Sequence, residues 1–243
     1  MMKRTIPTLI LVLTLWSSNA DADIIVLADS VSDFSDVQGQ GNWYYGFYDK
    51  TNDPNHQYAV TDFQLMTQFL SSHSLSAFGT GSAWYVEDGT YFTSLWASGG
   101  HPNGLATSGG RSTVEHFAIR RWVSDFAGPV TISGFLSKLD TAGENGIAGR
   151  IVVDGVFEYG QFIAGTDGVG VTYSVNSDVA VGSTVDFFID AWMANDLSDS
   201  TTFTATIVGD PGATVPEPST LAMFLGLGGM GLIAAYRRRK RAA

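Results

Sequence analysis

The amino-acid sequence predicts an all-β protein built as an antiparallel two-sheet sandwich, and three observations carry that expectation. Glycine accounts for 28 of 243 residues, serine and threonine are abundant and glutamate and lysine scarce, a balance that suits turns and strands better than surface helices. Between residues 23 and 210 the apolar residues fall in short alternating or continuous runs bounded by Gly, Asp, Asn and Ser, with no sustained helical period. The stretch "VVDGVFEYG" sets Asp154-Gly155 between two apolar runs, the strongest short-range signal for a hairpin.

Taken in order, strands are predicted at 24–28, 43–48, 83–87, 114–123, 130–136, 149–153, 156–163, 169–175, 184–191 and 202–208. One segment, 62–72 ("DFQLMTQFLSS"), is predicted helical. In the aromatic run at 43–48 strand alternation puts Trp43, Tyr45 and Phe47 on one face and Tyr44 and Tyr48 on the other, so one set faces a core.

Both ends of the chain differ from this body. Residues 1–22 have a basic start (Lys3, Arg4), an apolar run at 6–16 and a small-residue end, "SSNADA", which is the layout of a secretory signal peptide. Its apolar run is too short to cross a bilayer. Residues 211–243 form a second unit: "VPEP" at 215–218, an expected membrane helix over about 219–236, and the basic cluster 237–241. The positive-inside rule keeps that cluster cytoplasmic and so places the body, residues 23–210, across the membrane. Pro216 and Pro218 hold the segment before the helix extended and accessible.

Charge and cysteine narrow the function classes. Residues 23–215 contain six Lys or Arg against 22 Asp or Glu, a balance that repels phosphate backbones and argues against nucleic acid as a partner. The chain has no cysteine, which excludes disulfides, thiolate metal sites and cysteine nucleophiles. No Gly-x-Ser-x-Gly, His-Glu-x-x-His or P-loop motif is present, and His56, His73, His101 and His116 follow no metal-ligand spacing. Gly226-x-Gly228-x-x-Gly231 matches a dinucleotide fingerprint only formally, because it follows no strand and lies in the apolar tail. With 22 acids in the body, pairs such as Asp140 with Glu144 or Glu87 with Asp88 arise by chance, so no catalytic residue is assigned.

Two kinds of binding residue remain. Sugar rings stack on exposed aromatic faces, which makes Trp43, Tyr44, Tyr48 and Trp84 the candidates for a glycan site. Oxygen-rich loops suit calcium, and Asp140, Glu144 and Asn145 in "DTAGENG" are the candidate ligands, with "DSVSDFSD" (Asp29, Asp33, Asp36) and "NDLSD" (Asn195, Asp196, Asp199) as further clusters. Arg120 and Arg121, rare cations in an acidic body, are expected to pair with the surplus carboxylates.

"VPEP", the apolar run after it and "RRRKR" together closely resemble the PEP-CTERM sorting signal of Gram-negative bacteria that make extracellular polysaccharide. The resemblance implies that a membrane-embedded exosortase recognises Pro216, Glu217 and Pro218 and removes the tail. The segment from Arg120 onward, with "VSDFAGPVTISGFLSKLDTAGENGIAGRIVVDG", resembles a jelly-roll module of secreted bacterial proteins, related in design to carbohydrate-binding sandwiches. Together the two resemblances imply an exported, non-catalytic protein of the cell surface or extracellular matrix, transiently anchored in the inner membrane and associated with polysaccharide. It needs no cofactor, though its acidic loops admit structural calcium. The rival expectations are a secreted carbohydrate-active enzyme of the glycoside-hydrolase type and a calcium-dependent adhesin.

Overall fold

The computed structural model describes residues 24–74, 80–106, 109–142, 145–192 and 195–210. The predicted signal peptide, the motif at 215–218 and the predicted membrane helix lie outside them. Among the described residues no helix is long and apolar enough to cross a membrane.

Two antiparallel sheets account for the body. One contains β12 (Val171–Val179), β9 (Gly128–Lys138), β14 (Thr201–Gly209), β7 (Gly99–His101), β6 (Ser94–Trp96), β5 (Thr80–Tyr85) and β4 (Gln68–Ser74) in that spatial order, with β1 (Ile25–Asp29) added beside β14. The other runs β11 (Val156–Ile163), β10 (Ile147–Val153), β13 (Thr184–Ala191), β8 (His116–Val123), β2 (Trp43–Asp49) and β3 (Gln64–Leu65). Asp154 and Gly155 both take positive φ, 49° and 83°, between β10 and β11, the conformation that a two-residue Asp-Gly hairpin requires.

Alternation decides what is buried. Trp43, Tyr45 and Phe47 of β2, Ala118 and Trp122 of β8, Ile147 and Ile151 of β10 and Phe187 and Ile189 of β13 point to the space between the sheets. Ile132, Leu136, Tyr173, Phe203, Ala205 and Ile207 meet them from the other sheet, and the Phe187 and Phe203 rings pack edge to face with centroids 5.8 Å apart.

The segment 62–72 is not helical. A short 3₁₀ turn at Val60–Asp62 leads into β3 and then β4. Phe63, Met66, Phe69 and Leu70 recur at helical spacing, but tertiary pairing overrides that pattern. Gln64 and Leu65 add to β2, the Met66 amide donates to the Tyr45 carbonyl at 3.0 Å, and Phe69 packs on Trp84. Strands β6 and β7 also escape the sequence pattern: they are three residues long and embedded in "SLWASGGHPNG", which reads as loop.

Arg120 corrects a further expectation. It points inward, fully enclosed, and forms no ion pair with a carboxylate among the described residues. Its guanidinium instead donates to the carbonyls of Trp96 at 2.6 Å and of Phe203 and Gly99 at 3.4 Å. Burial pulls it down to about 10, still well above neutrality, so it stays charged.

Candidate functional site

The outer face of the six-stranded sheet is also aromatic. Tyr48 of β2, Phe117 and Ile119 of β8, Val152 of β10 and Phe188 of β13 form a second apolar cluster there, and Tyr58 and Phe63 pack onto it from the segment between β2 and β3. Polar anchors fix that segment to the sheet. Arg121 donates through Nε to Asp186 Oδ1 at 2.7 Å and through Nη2 to Oδ2 at 2.9 Å, to the Tyr58 hydroxyl at 2.6 Å and to the Val60 carbonyl at 3.0 Å. The Tyr58 hydroxyl donates to Asp186 Oδ2 at 2.7 Å, and the Arg121 guanidinium lies 4.1 Å from the Phe63 ring centre. Burial and the Asp186 charge hold the Tyr58 phenol protonated. Such a bidentate, ring-stacked arginine makes the segment a rigid wall rather than a loose loop.

Between this wall and the tip of the β10–β11 hairpin lies an open trough of about 410 Å³. That volume is within the range of small-ligand sites. Phe117, Phe188 and Val152 form its floor, Tyr58 and His56 its wall, and Phe157 its far rim. Phe157 is 62 % exposed, yet its position is set: a Cβ on Gly160 would lie 2.7 Å from its ring. Glycine at 160 thus leaves room for the ring to lie against the strand with its other face toward solvent.

Two of the six cations of the body reach the same floor. Lys50 Nζ and the Arg150 guanidinium lie 5.4 and 5.5 Å from the Phe117 ring centre. Each holds an acid: Lys50 bonds Glu115 at 2.7 Å, and Arg150 bonds Asp190. Burial pushes the Asp190 carboxyl up to about 6 against the opposing pull of Arg150. At the trough's edge the Tyr48 hydroxyl donates to Asp53 Oδ2 at 2.5 Å, and this bond holds the partly exposed Asp53 carboxyl below its ordinary value.

The aromatic candidates from the sequence divide by face. Tyr48 forms part of the trough, and Tyr44, on the same outer face, is partly exposed with its phenol against Gly39. Trp43 and Trp84 require correction. Trp43 is fully enclosed beside Phe187, and Trp84 stacks on Tyr45 with Nε1 donating to the Ser35 carbonyl at 2.8 Å. A ring covered on both faces has none left for a sugar.

Among the calcium candidates, Asp140 accepts the Ala142 amide at 2.9 Å, Asn145 is partly buried, and Glu144 lies outside the described residues. Asp29 is occupied by Val31, Ser32 and Thr206, and Asp33 by the Asp29 amide. Among the described residues no group of three or more His, Asp or Glu side chains is placed to hold a metal ion. Thr93 Oγ1, His116 and Asp49 follow one another at 3.0 and 3.6 Å, in the order of a nucleophile, base and acid. Thr93 is fully buried, however, and the His116 ring is packed between Phe47 and Tyr91, so the relay is a packing feature.

Sequence reasoning missed Phe157, Phe117, Phe188, Tyr58, Lys50 and Arg150. Only Phe157 carried a local signal, since it stands two residues beyond an Asp-Gly turn on an alternating strand.

Fold and trough together define a β-sandwich with one open, aromatic-floored face. Residues 214–240 match the PEP-CTERM protein-sorting motif, so the chain carries that signal behind the sandwich. No curated protein matches this chain. Solved structures with partial likeness include the CBM51-2 and INT domains of Clostridium perfringens ZmpB, at 12 % identity and TM-score 0.34, covering 63 % of this chain and 32 % of that one. CBM35 of Cellvibrio japonicus Abf62 matches at 13 % identity and TM-score 0.28, over 69 % and 92 %. A PA14 sugar-binding domain from an RTX adhesin matches at 13 % identity and TM-score 0.26, over 71 % and 91 %. The chain thus spans about a third of the first of these, and likenesses this distant carry no weight for function.

Proposed function

We propose that this is a non-catalytic protein of the cell surface or extracellular matrix, delivered by exosortase and binding polysaccharide in the outer-face trough. One observation carries the reading: an open groove floored by aromatic rings, with an exposed ring at its rim and two cations at its base, in a body whose other large aromatics are mostly enclosed. Apolar ring faces fit the C–H faces of sugars, while Lys50, Arg150 and His56 can bond hydroxyl or carboxylate oxygens. The sorting motif supports delivery to the place where such a polymer is met. Recognition of Pro216, Glu217 and Pro218 by the exosortase, and transient anchoring by the tail, belong to the same reading.

Affinity electrophoresis of the full chain in gels containing the polysaccharide secreted by its source organism tests binding. Retardation is expected, and its reduction by Phe157→Ala and by Gly160→Ala, which displaces the same ring. Unretarded migration of the unaltered protein overturns the reading. Release of new reducing ends from that polymer would favour the carbohydrate-active enzyme instead. A melting temperature that rises with calcium and falls with chelator would favour the calcium-dependent adhesin.

A further inference from the structure

The two ends of the sandwich domain meet at one place. Strand β1 pairs with β14 so that Ile25 faces Gly209, which sets residue 24 beside residue 210, where the chain leaves toward the sorting motif. Three connections close the same end. The Ser124 amide donates to the Ser183 carbonyl at 2.8 Å, the Gly182 amide to the Ser124 carbonyl at 2.7 Å, and Asp154 accepts the Thr184 amide and the Ser183 hydroxyl, each at 2.7 Å. The Phe126 ring ties them to the chain exit, since a Cβ on Gly128 or on Gly209 would lie 3.1 Å from it.

This end is apolar at its surface. Ile24, Val26, Val156 and Val181 are each at least 60 % exposed. Isolated exposed apolar residues are ordinary, but these four stand on three connected segments around the chain exit. The ionic side chains nearby are carboxylates, Asp125, Asp154, Asp178 and Asp210, with no lysine or arginine in the segments that build the end. Only residues 211–215 separate Asp210 from Pro216, a reach of about 20 Å at full extension.

We infer that this end of the sandwich is a membrane-docking surface, and that it rests on zwitterionic lipid headgroups while the tail still holds the protein at the bilayer. The inference rests on reading the tail as a tether. The short connection delivers the apolar rim to the bilayer surface, where its side chains gain by leaving water. The carboxylates beside it exclude anionic lipid, so the contact is apolar rather than electrostatic. The consequence is orientation: a docked sandwich presents Pro216, Glu217 and Pro218 at a constant height for processing.

The absence of cysteine allows a direct test. Single cysteines are introduced into the full chain as Val156→Cys, Val181→Cys and, at the opposite end beside the start of β12, Val169→Cys, the most exposed of the large apolar residues described. Each is labelled with an environment-sensitive fluorophore and mixed with phosphatidylcholine–phosphatidylethanolamine vesicles carrying headgroup nitroxide lipids. Flotation of the protein with the vesicles is expected, with quenching at positions 156 and 181 at least twice that at 169. Flotation with equal quenching at all three positions overturns the docking while leaving the tether. Failure to float overturns both, and neither result bears on polysaccharide binding.

Discussion

Arg120 and Arg121 are neighbours on β8 and inhabit opposite faces of the six-stranded sheet, which makes them a comparison of the two faces. Arg120 points between the sheets, where among the described residues no carboxylate pairs with it and backbone carbonyls accept its hydrogen bonds. Arg121 points outward, where Asp186, Tyr58 and Phe63 surround it and its bonds fasten a separate segment to the sheet. Both faces are rich in aromatic residues. The inner face is closed by a second sheet, whereas the outer face is closed only in part and leaves the trough beside the wall. Aromatic content alone therefore does not mark a binding face; what matters is how much of the face a neighbouring element covers.

The largest expected effect lies inside. Arg120→Ala leaves a void and strips donors from three carbonyls, and should cost about 3–5 kcal/mol in urea unfolding. A loss under about 1 kcal/mol would remove the distinction between the faces. Outside, Arg121→Ala leaves Asp186, itself fully buried, without its charged partner while the Tyr58 hydroxyl still donates to it, for an expected loss of about 2–3 kcal/mol. It should also loosen the wall and weaken polysaccharide retention. A double-mutant cycle with Asp186→Asn should return a coupling above about 1 kcal/mol, and additivity would show that the pair does not act as the anchor.

Acid acts with opposite sign on two enclosed groups. Burial holds the enclosed His101 imidazole down at about 4 against 6.5 when free, so the unfolded chain binds that proton first. Its contribution to stability therefore falls as pH drops from about 6.5 to about 4, by up to about 2–3 kcal/mol. Asp190, on the outer face, does the reverse: the folded state protonates at about 6, the unfolded chain at 3.8, and stability rises as pH falls between them. Urea titrations across this range should show a smaller acid loss in His101→Gln and a larger one in Asp190→Asn. Identical pH profiles for both variants would contradict the assignment. The smallest effect on folding is expected from Phe157→Ala, within about 1 kcal/mol because the ring is mostly exposed, while polysaccharide affinity drops about tenfold, or about 1.4 kcal/mol. Loss of stability without loss of affinity would return Phe157 to a packing role.

Much of the architecture was legible because it depends on local regularities. Alternation separated Trp43, Tyr45 and Phe47 from Tyr44 and Tyr48, and Asp154-Gly155 marked its hairpin. The segment 62–72 was misread because its apolar spacing fits a helix while its backbone partners lie on β2 and β5. The trough was harder to see for a similar reason. Phe117 and Phe188 look like any other strand aromatics, and Lys50 and Arg150, 100 residues apart, reach the same ring only because β2, β8, β13 and β10 stand side by side in that order.

Sequence by itself determined the all-β class, the hairpin and the sorting motif at 214–240, since strand period, turn chemistry and a linear recognition signal are all written in consecutive residues. Tertiary structure alone decided which aromatic face is dry and which is open, which of two adjacent arginines meets an acid, and that residues 24 and 210 leave the sandwich together. These depend on which strands become neighbours and what lies across from each face, and contacts between residues far apart in the chain have no local signature.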